Sequence, residues 1–235
     1  MTSAAGQPIP TVRLSLPELG YLLHLAPATG QSLARERLQL VAEPDEDVLR
    51  SGLSALAARD GVRVEGGILR PTPENAVVAA VLATAGCWVE TGVAGGARSE
   101  VVHVVEGSGA VLVINRRPLG VLEFAGLRPG VDIATAVLRI VTPLAAADAT
   151  DRILINAVGF GGTTAAVLGV RRGPLWALAR WAAAEPLSPG SVARSVSGAR
   201  ADTGWSALGQ GSEQDLLSWA AVTVGADSPI AEPTT

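Results

Sequence analysis

Side chains that could carry out chemistry are few in this sequence. The two histidines, His24 and His103, fall in a predicted helix and a predicted strand, and neither recurs at the spacing of a metal-ligand set. Cys87 is expected to be a buried structural residue, because a reactive thiol needs exposure and a neighbouring cation. We therefore predict no catalytic residue, no metal site and no cofactor. We expect a protein that is not an enzyme, with a small-molecule hydrolase as the most distant alternative.

One glycine-rich segment, GFGGTT at 159–164, has the composition of a phosphate-binding loop. Glycine backbones ahead of a helix can bind an anion through their N–H groups. The Walker motif also needs a lysine, however, and all 18 basic residues of this chain are arginine. A dinucleotide-binding motif would need a further glycine where Thr164 stands. We interpret the segment as a turn between two short helices, 151–158 and 163–170.

Charge and composition exclude two classes of partner. The formal net charge of the 235-residue chain is -4, and no arginine cluster supplies the basic surface that nucleic-acid binding requires. The uncharged run 153–170 contains Asn156 and four glycines, which suit a membrane span poorly. A single cysteine rules out an internal disulfide and favours a reducing compartment. With no signal-peptide pattern at the N-terminus, we predict a cytoplasmic protein that binds neither nucleic acid nor membrane.

The first 85 residues carry the signals of helices and a short hairpin. Ser15 and Glu18 form a capping-box pattern, a second helix is predicted over 45–59, and the segment 31–42 is compatible with either strand or helix. VRVEGGILRP at 62–71 predicts a hairpin, and Thr72 followed by Pro73 predicts the start of a third helix.

This order of elements resembles a winged helix, a shape often used to bind DNA. A regulatory or DNA-associated protein is therefore the alternative function. The hairpin carries only Arg63 and Arg70, beside Glu65, which is little positive charge for that purpose.

Strand signals dominate the rest of the chain. Strands are predicted at 87–93, 99–106, 110–115 and 119–124, followed by a helix over 131–141; a second series predicts strands at 175–183, 191–197 and 203–208 and a helix over 213–222. FAGLRPG and WSALGQG each have an aromatic residue, then a leucine three residues later and a glycine six residues later. Each segment follows predicted strands and precedes a predicted helix. We predict an α/β (α+β) fold with a central, mostly antiparallel sheet flanked by helices. Its two pseudo-symmetric halves are expected at 13–142 and 143–223, between disordered ends at 1–12 and 224–235.

The segment EVVHVVEGSGAVLVINRRPLGVLEF, residues 100–124, has apolar residues on both faces of its strands. Such strands need cover on both sides. With a two-residue loop at 107–108 and a three-residue loop at 116–118, one face, here named the valine face, holds Val102, Val104, Val111, Val113 and Val121. Carboxylates, among them Glu106 and Glu123, form its rim. The bulkier face, with Leu112, Ile114, Leu122 and Phe124, is assigned to the core.

Five exposed valines would make an apolar patch of the size that marks an interaction site. We predict that the valine face, with Glu106 and Glu123, binds a partner protein. The alternative is that helices from the second half of the chain cover these valines.

The order of segments LSLPELGYLLHLA, LRSGLSALAARDGV, ILRPTPENAVVAAVLATAGCWVE, AVLVINRRPLGVLEFAGLRPGVDIATAVLRIV and DTGWSALGQGSEQDLLSWAAV is similar to the EspG family of type VII (ESX) secretion-associated proteins of actinobacteria. The similarity extends over about residues 13–223. It implies a pseudo-twofold cytosolic chaperone that binds the hydrophobic tip of a helical secreted substrate, either a PE/PPE pair or a WXG100-like hairpin. The chain itself is expected to be a monomer or a weak homo-oligomer.

Overall fold

The computed structural model describes residues 11–26, 28–96, 98–159, 164–183, 185, 187–198 and 204–225. Within these ranges the fold is mixed α+β, with seven α-helices, one antiparallel sheet of nine strands and a separate two-stranded sheet. The predicted fold class is confirmed.

The elements follow in this order: β1 (Thr11–Ser15), α1 (Leu16–Leu25), α2 (Gln31–Leu38), α3 (Glu46–Ala57), β2 (Val62–Glu65), β3 (Ile68–Pro71), α4 (Pro73–Ala83), β4 (Cys87–Gly95), β5 (Arg98–Gly107), β6 (Ala110–Arg116), β7 (Val121–Gly126), α5 (Ile133–Ala146), β8 (Arg152–Gly159), β9 (Thr164–Arg172), β10 (Leu175–Trp181), α6 (Pro189–Ser197), β11 (Trp205–Gly211) and α7 (Glu213–Thr223).

The large sheet is built from two meanders. Its strand order is β1-β7-β6-β5-β4-β8-β9-β10-β11. Strands β4 to β7 are neighbours in sequence order and form one meander, with β1 added at its outer edge. Strands β8 to β11 form the other meander, and the two are joined where β4 pairs with β8. Each meander is followed by a helix, α5 or α7. This order agrees with the two sheet-plus-helix halves expected from the sequence.

The chain divides into two compact units along different boundaries from those predicted. Unit 1 comprises the residues up to 85 together with 105–131, and unit 2 comprises 86–104 together with the residues from 132 onward. The expected boundary between 142 and 143 falls inside α5, and β1 already begins at Thr11, inside the predicted disordered end. Residues 1–10 and 226–235, where disorder was expected, lie outside the described residues.

In unit 1, the capping box predicted at Ser15 is present. The backbone N–H and the hydroxyl of Ser15 donate to Glu18 Oε2 at 2.7 and 2.8 Å, and Arg59 Nη2 donates to Glu18 Oε1 at 2.6 Å. Helix α1 buries Leu19, Leu22 and Leu23 completely and packs against α3 and α4. These contacts tie the start of α1 to the end of α3.

In unit 2, helices cover both faces of the sheet. A Cβ on Gly92 would collide with Val196 of α6, whereas a Cβ on Gly169 would lie 2.9 Å from Leu216 of α7. Gly92 pairs with Leu154 and Gly169 pairs with Ile153, and adjacent residues of a strand point to opposite faces. Helices α6 and α7 therefore lie on opposite sides of β8. Helix α5 packs on α7, β4 and β8.

Three sequence predictions in the second half are wrong. Segments 151–158 and 163–170 were expected to be helices but form β8 and β9. Because both faces of these strands are covered, their apolar residues run on without the alternation that identifies a half-exposed strand. Segment 191–197 was expected to be a strand but belongs to α6. Ser188 begins this helix by accepting a hydrogen bond from the Ser191 N–H at 3.2 Å. The ambiguous segment 31–42 contains helix α2.

We predict that the free energy of unfolding falls in acid. Hydrogen bonds from Thr135 lower the pKa of Asp132, those from Ser212 lower the pKa of Asp215, and the hydrogen bond from Arg117 lowers the pKa of Glu123. A carboxyl with a lowered pKa in the folded state stabilises it above the unfolded pKa and loses that effect as the pH falls through the folded value. Urea unfolding between about pH 5 and 3 should show this loss.

The Asp132→Asn variant provides the control, because Asn also caps helices but does not titrate. It should reduce the pH dependence and keep the stability at pH 7. An unchanged dependence in Asp132→Asn would contradict the assignment.

Candidate functional site

The predicted division of residues between the two faces holds for β6 and β7. Val113 pairs with Ala125 and Asn115 pairs with Glu123, whereas Ile114 pairs with Phe124. The turns lie later than expected, at 108–109 and 118–120. Each turn shifts the pairing register by an even number of residues, so every side chain stays on the face predicted for it. Ser108 and Gly109 both have positive φ, as a type I′ hairpin turn requires.

The expected exposure of the valine face is wrong. Val104 is 0% exposed and Val111 is 4% exposed, while Val102, Val113 and Val121 are half-buried. The chain therefore covers Val104 and Val111 with its own atoms. A strand that is apolar on both faces has been buried on both, and these two side chains present no surface to a partner in this conformation.

The predicted acidic rim also differs from the expectation. Glu123 accepts hydrogen bonds from Arg13 Nε at 2.7 Å and from Arg117 Nη2 at 2.6 Å. Its charge is therefore compensated within unit 1. Glu106 is half-buried at the end of β5.

Exposed apolar side chains are instead concentrated around the β2–β3 hairpin and the first half of α4. Val64 is 70% exposed, Ile68 60%, Leu69 38% and Val77 51%. Ile68 pairs with Glu65 and therefore lies on the face of the hairpin opposite to Val64 and Leu69. We call Val64, Leu69 and Val77 the hairpin–helix surface. Val64 and Leu69 are directly opposite each other in the hairpin, and its turn consists of Gly66 and Gly67, both with positive φ. The sequence predicted the hairpin but not its exposed apolar residues, although the alternation of apolar and charged residues in VRVE, 62–65, was a signal for Val64.

An apolar groove of about 270 Å³ adjoins Val77 in unit 1. Its buried lining residues are Val78, Leu112 and Phe124, and the others are Val12, Pro73, Glu74, Val77 and Gly126. Leu112 and Phe124 belong to the face of the sheet opposite the valine face. Glu74 is the one charged side chain among the described lining residues. The groove can accept an apolar side chain but holds no pair of groups for acid–base chemistry.

A buried polar cluster in unit 2 was missed by the sequence analysis. Trp88 Nε1 donates to His103 Nδ1 at 3.1 Å, and Asn156 Nδ2 donates to Glu90 Oε2 at 2.7 Å. His103 Nδ1 and Glu90 Oε1 are 3.8 Å apart. His24, the other histidine, is exposed on α1.

The position of this cluster indicates a structural role. All four side chains are less than 9% exposed, so that a substrate has no access to them. Glu90 and Asn156 are directly opposite each other in the β4–β8 pair, where the two meanders meet. A hydrogen bond between them fixes the register of that pair. No three His, Cys, Asp or Glu side chains in the described part of the chain gather where they could hold a metal ion.

In comparisons with known proteins, no family model and no curated protein matches the chain. None of the described helices combines the length and apolar character needed to cross a bilayer. The GFGGTT segment, considered above as a phosphate-binding loop, falls mainly on residues 160–163, which lie outside the described residues.

We predict that glutamate is tolerated at position 68 and not at position 104. The Val104→Glu substitution would bury an unpaired carboxyl and should lower the free energy of unfolding by about 3 kcal/mol or more. Ile68→Glu, on the exposed hairpin, should change it by less than about 0.5 kcal/mol. Urea denaturation of both variants measures the difference. Equal effects of the two substitutions would contradict the burial described above.

We predict that Asn156→Asp strongly destabilises the fold. The substitution places a second carboxyl against buried Glu90 and removes the amide that donates to it. The expected loss is about 3 to 5 kcal/mol at pH 7, smaller at acidic pH where the pair can share a proton. Gln210→Glu, the same chemical change on the exposed strand β11, is the control and should have little effect. Similar stabilities of the two variants in chemical denaturation would refute the structural role of the cluster.

Proposed function

We propose that this protein is a chaperone or adaptor that holds a helical secreted protein in the cytoplasm, as the resemblance to the EspG family implies, without making or breaking a covalent bond. The observation that carries the proposal is the hairpin–helix surface, where three large apolar side chains are exposed within 14 residues of sequence, two of them paired on one face of the hairpin. Exposed apolar residues that share a face are typical of interaction sites. The paired sheet-plus-helix meanders, the architecture that the resemblance implies, support the same proposal.

The proposed partner is a PE/PPE pair or a WXG100-like helical hairpin. An amphipathic helix presents apolar side chains at positions i, i+3, i+4 and i+7, which suits a narrow apolar surface beside a groove. Burial of the exposed fractions of Val64, Leu69 and Val77, which are 70%, 38% and 51% exposed, would contribute about 2 kcal/mol gross at the low end, against an association cost of about 4 to 15 kcal/mol. The adjoining groove is therefore part of the proposed site, because the surface alone gives weak binding.

The groups around the surface favour a protein partner over DNA. Arg63 and Arg70 are directly opposite each other in the hairpin, which is the one feature that favours the winged-helix alternative. Glu65 Oε2 lies 3.7 Å from Arg70 Nε, however, and α3 begins with Glu46 and Asp47. These carboxylates would repel the phosphates that the two arginines attract.

The test is complex formation with purified helical secretion substrates of both kinds, followed by size-exclusion chromatography and calorimetry. Val64→Glu should weaken binding at least tenfold, because it places a charge in an apolar interface. Val222→Glu is the control, since Val222 is an equally apolar residue, 50% exposed, in unit 2. It should leave the affinity unchanged.

Two outcomes would refute the proposal. One is equal binding by Val64→Glu, Val222→Glu and the unaltered protein. The other is no binding to either kind of substrate together with retention on DNA that decreases steeply with salt, which would establish the winged-helix alternative.

A further inference from the structure

A second, smaller pocket lies in unit 2 and is lined by hydrogen-bond donors. It has a volume of about 180 Å³, and its lining includes Arg152, Arg172, Ser195, Trp205, Leu168 and Val170. Arg152 and Val170 are opposite each other in the β8–β9 pair, and Leu168 lies two residues earlier on the same face. Ser195 belongs to α6 and Trp205 begins β11. Four elements of the fold therefore build the pocket.

The polar groups of this pocket have no acceptors within the described residues. Ser195 is 5% exposed, and its hydroxyl makes no hydrogen bond; the buried indole N–H of Trp205 makes none either. Arg152 and Arg172 form no ion pair or hydrogen bond with any described residue. The neighbouring Arg171 differs, because its guanidinium donates to the carbonyls of Thr150, Ala145 and Ala147. Arg172 is exposed and Arg152 is half-buried, so water reaches both guanidinium groups. A buried polar group without a partner costs free energy, so the Ser195 hydroxyl and the Trp205 N–H call for a ligand.

The chemistry of the lining defines that ligand. Two guanidinium groups, a hydroxyl and an indole N–H attract an oxyanion, and no carboxylate belongs to the described lining. Leu168, Val170 and the Trp205 ring supply apolar walls. A phosphate group has oxygen on every side and would make no apolar contact with these walls. The pocket is smaller than the roughly 300 to 1,000 Å³ typical of sites for drug-sized ligands. We propose that it binds a small carboxylate that bears a short apolar chain, independently of partner binding in unit 1.

Gly198 explains how Arg152 is held at this site. It ends α6 in the left-handed conformation, with φ of 75°, and a Cβ at this position would collide with the Arg152 guanidinium. Glycine therefore both permits the turn and lets the guanidinium lie against the backbone. Arg152 is a ligand-binding residue in this proposal, and Gly198 is a positioning residue.

The experiment titrates the purified full chain with butyrate, inorganic phosphate and neutral butyramide, using calorimetry and thermal unfolding. Butyrate should bind and raise the unfolding temperature, whereas butyramide should not. Arg152→Gln and Arg172→Gln should each weaken butyrate binding about tenfold, because a hydrogen bond to a charged group is lost. Arg139→Gln removes the same charge from the exposed face of α5, outside the pocket, and should bind normally.

Ser195→Ala separates binding from a structural role. Removing a buried hydroxyl that has no partner should leave the unfolding temperature of the free protein unchanged or higher, while butyrate binding weakens. The proposal is overturned if butyrate does not bind, if it binds equally to Arg152→Gln and Arg139→Gln, or if phosphate binds more tightly than butyrate.

Discussion

The structure depends on one constraint: strands that are apolar on both faces must be covered on both faces. In unit 2, this cover is supplied by α6 on one side, admitted by the missing side chain of Gly92, and by α7 on the other, admitted by Gly169. The same constraint buries Val104 and Val111 within the chain. The valine face is therefore not an open surface. The exposed apolar residues that need an explanation lie elsewhere, on the β2–β3 hairpin and α4.

Local signals in the sequence predicted much of unit 1. Ser15 with Glu18 and Thr72 with Pro73 marked helix starts, because capping is a matter of three or four neighbouring residues. The faces of β6 and β7 followed from alternation even though the turns were misplaced, since both changes kept the same parity. These predictions needed no knowledge of distant parts of the chain.

The features that the sequence did not predict depend on residues far apart. Strands β8 and β9 lack alternation because helices cover both faces, and nothing within 152–172 reveals that cover. Glu90 and Asn156 are 66 residues apart in sequence, yet they form one buried hydrogen bond. The burial of Val104 and the pocket beside Arg152 likewise require the tertiary structure. Candidate sites in this protein are products of packing more than of motifs.

We propose that a helical partner binds at the hairpin–helix surface. The most direct measurement is photo-crosslinking in the native host from a benzophenone side chain placed at position 64, compared with position 222 as an exposed site in unit 2. Cross-links from position 64 to a single small helical protein, and none to that protein from position 222, are expected. The same cross-links from both positions, or none from position 64, would contradict the proposal.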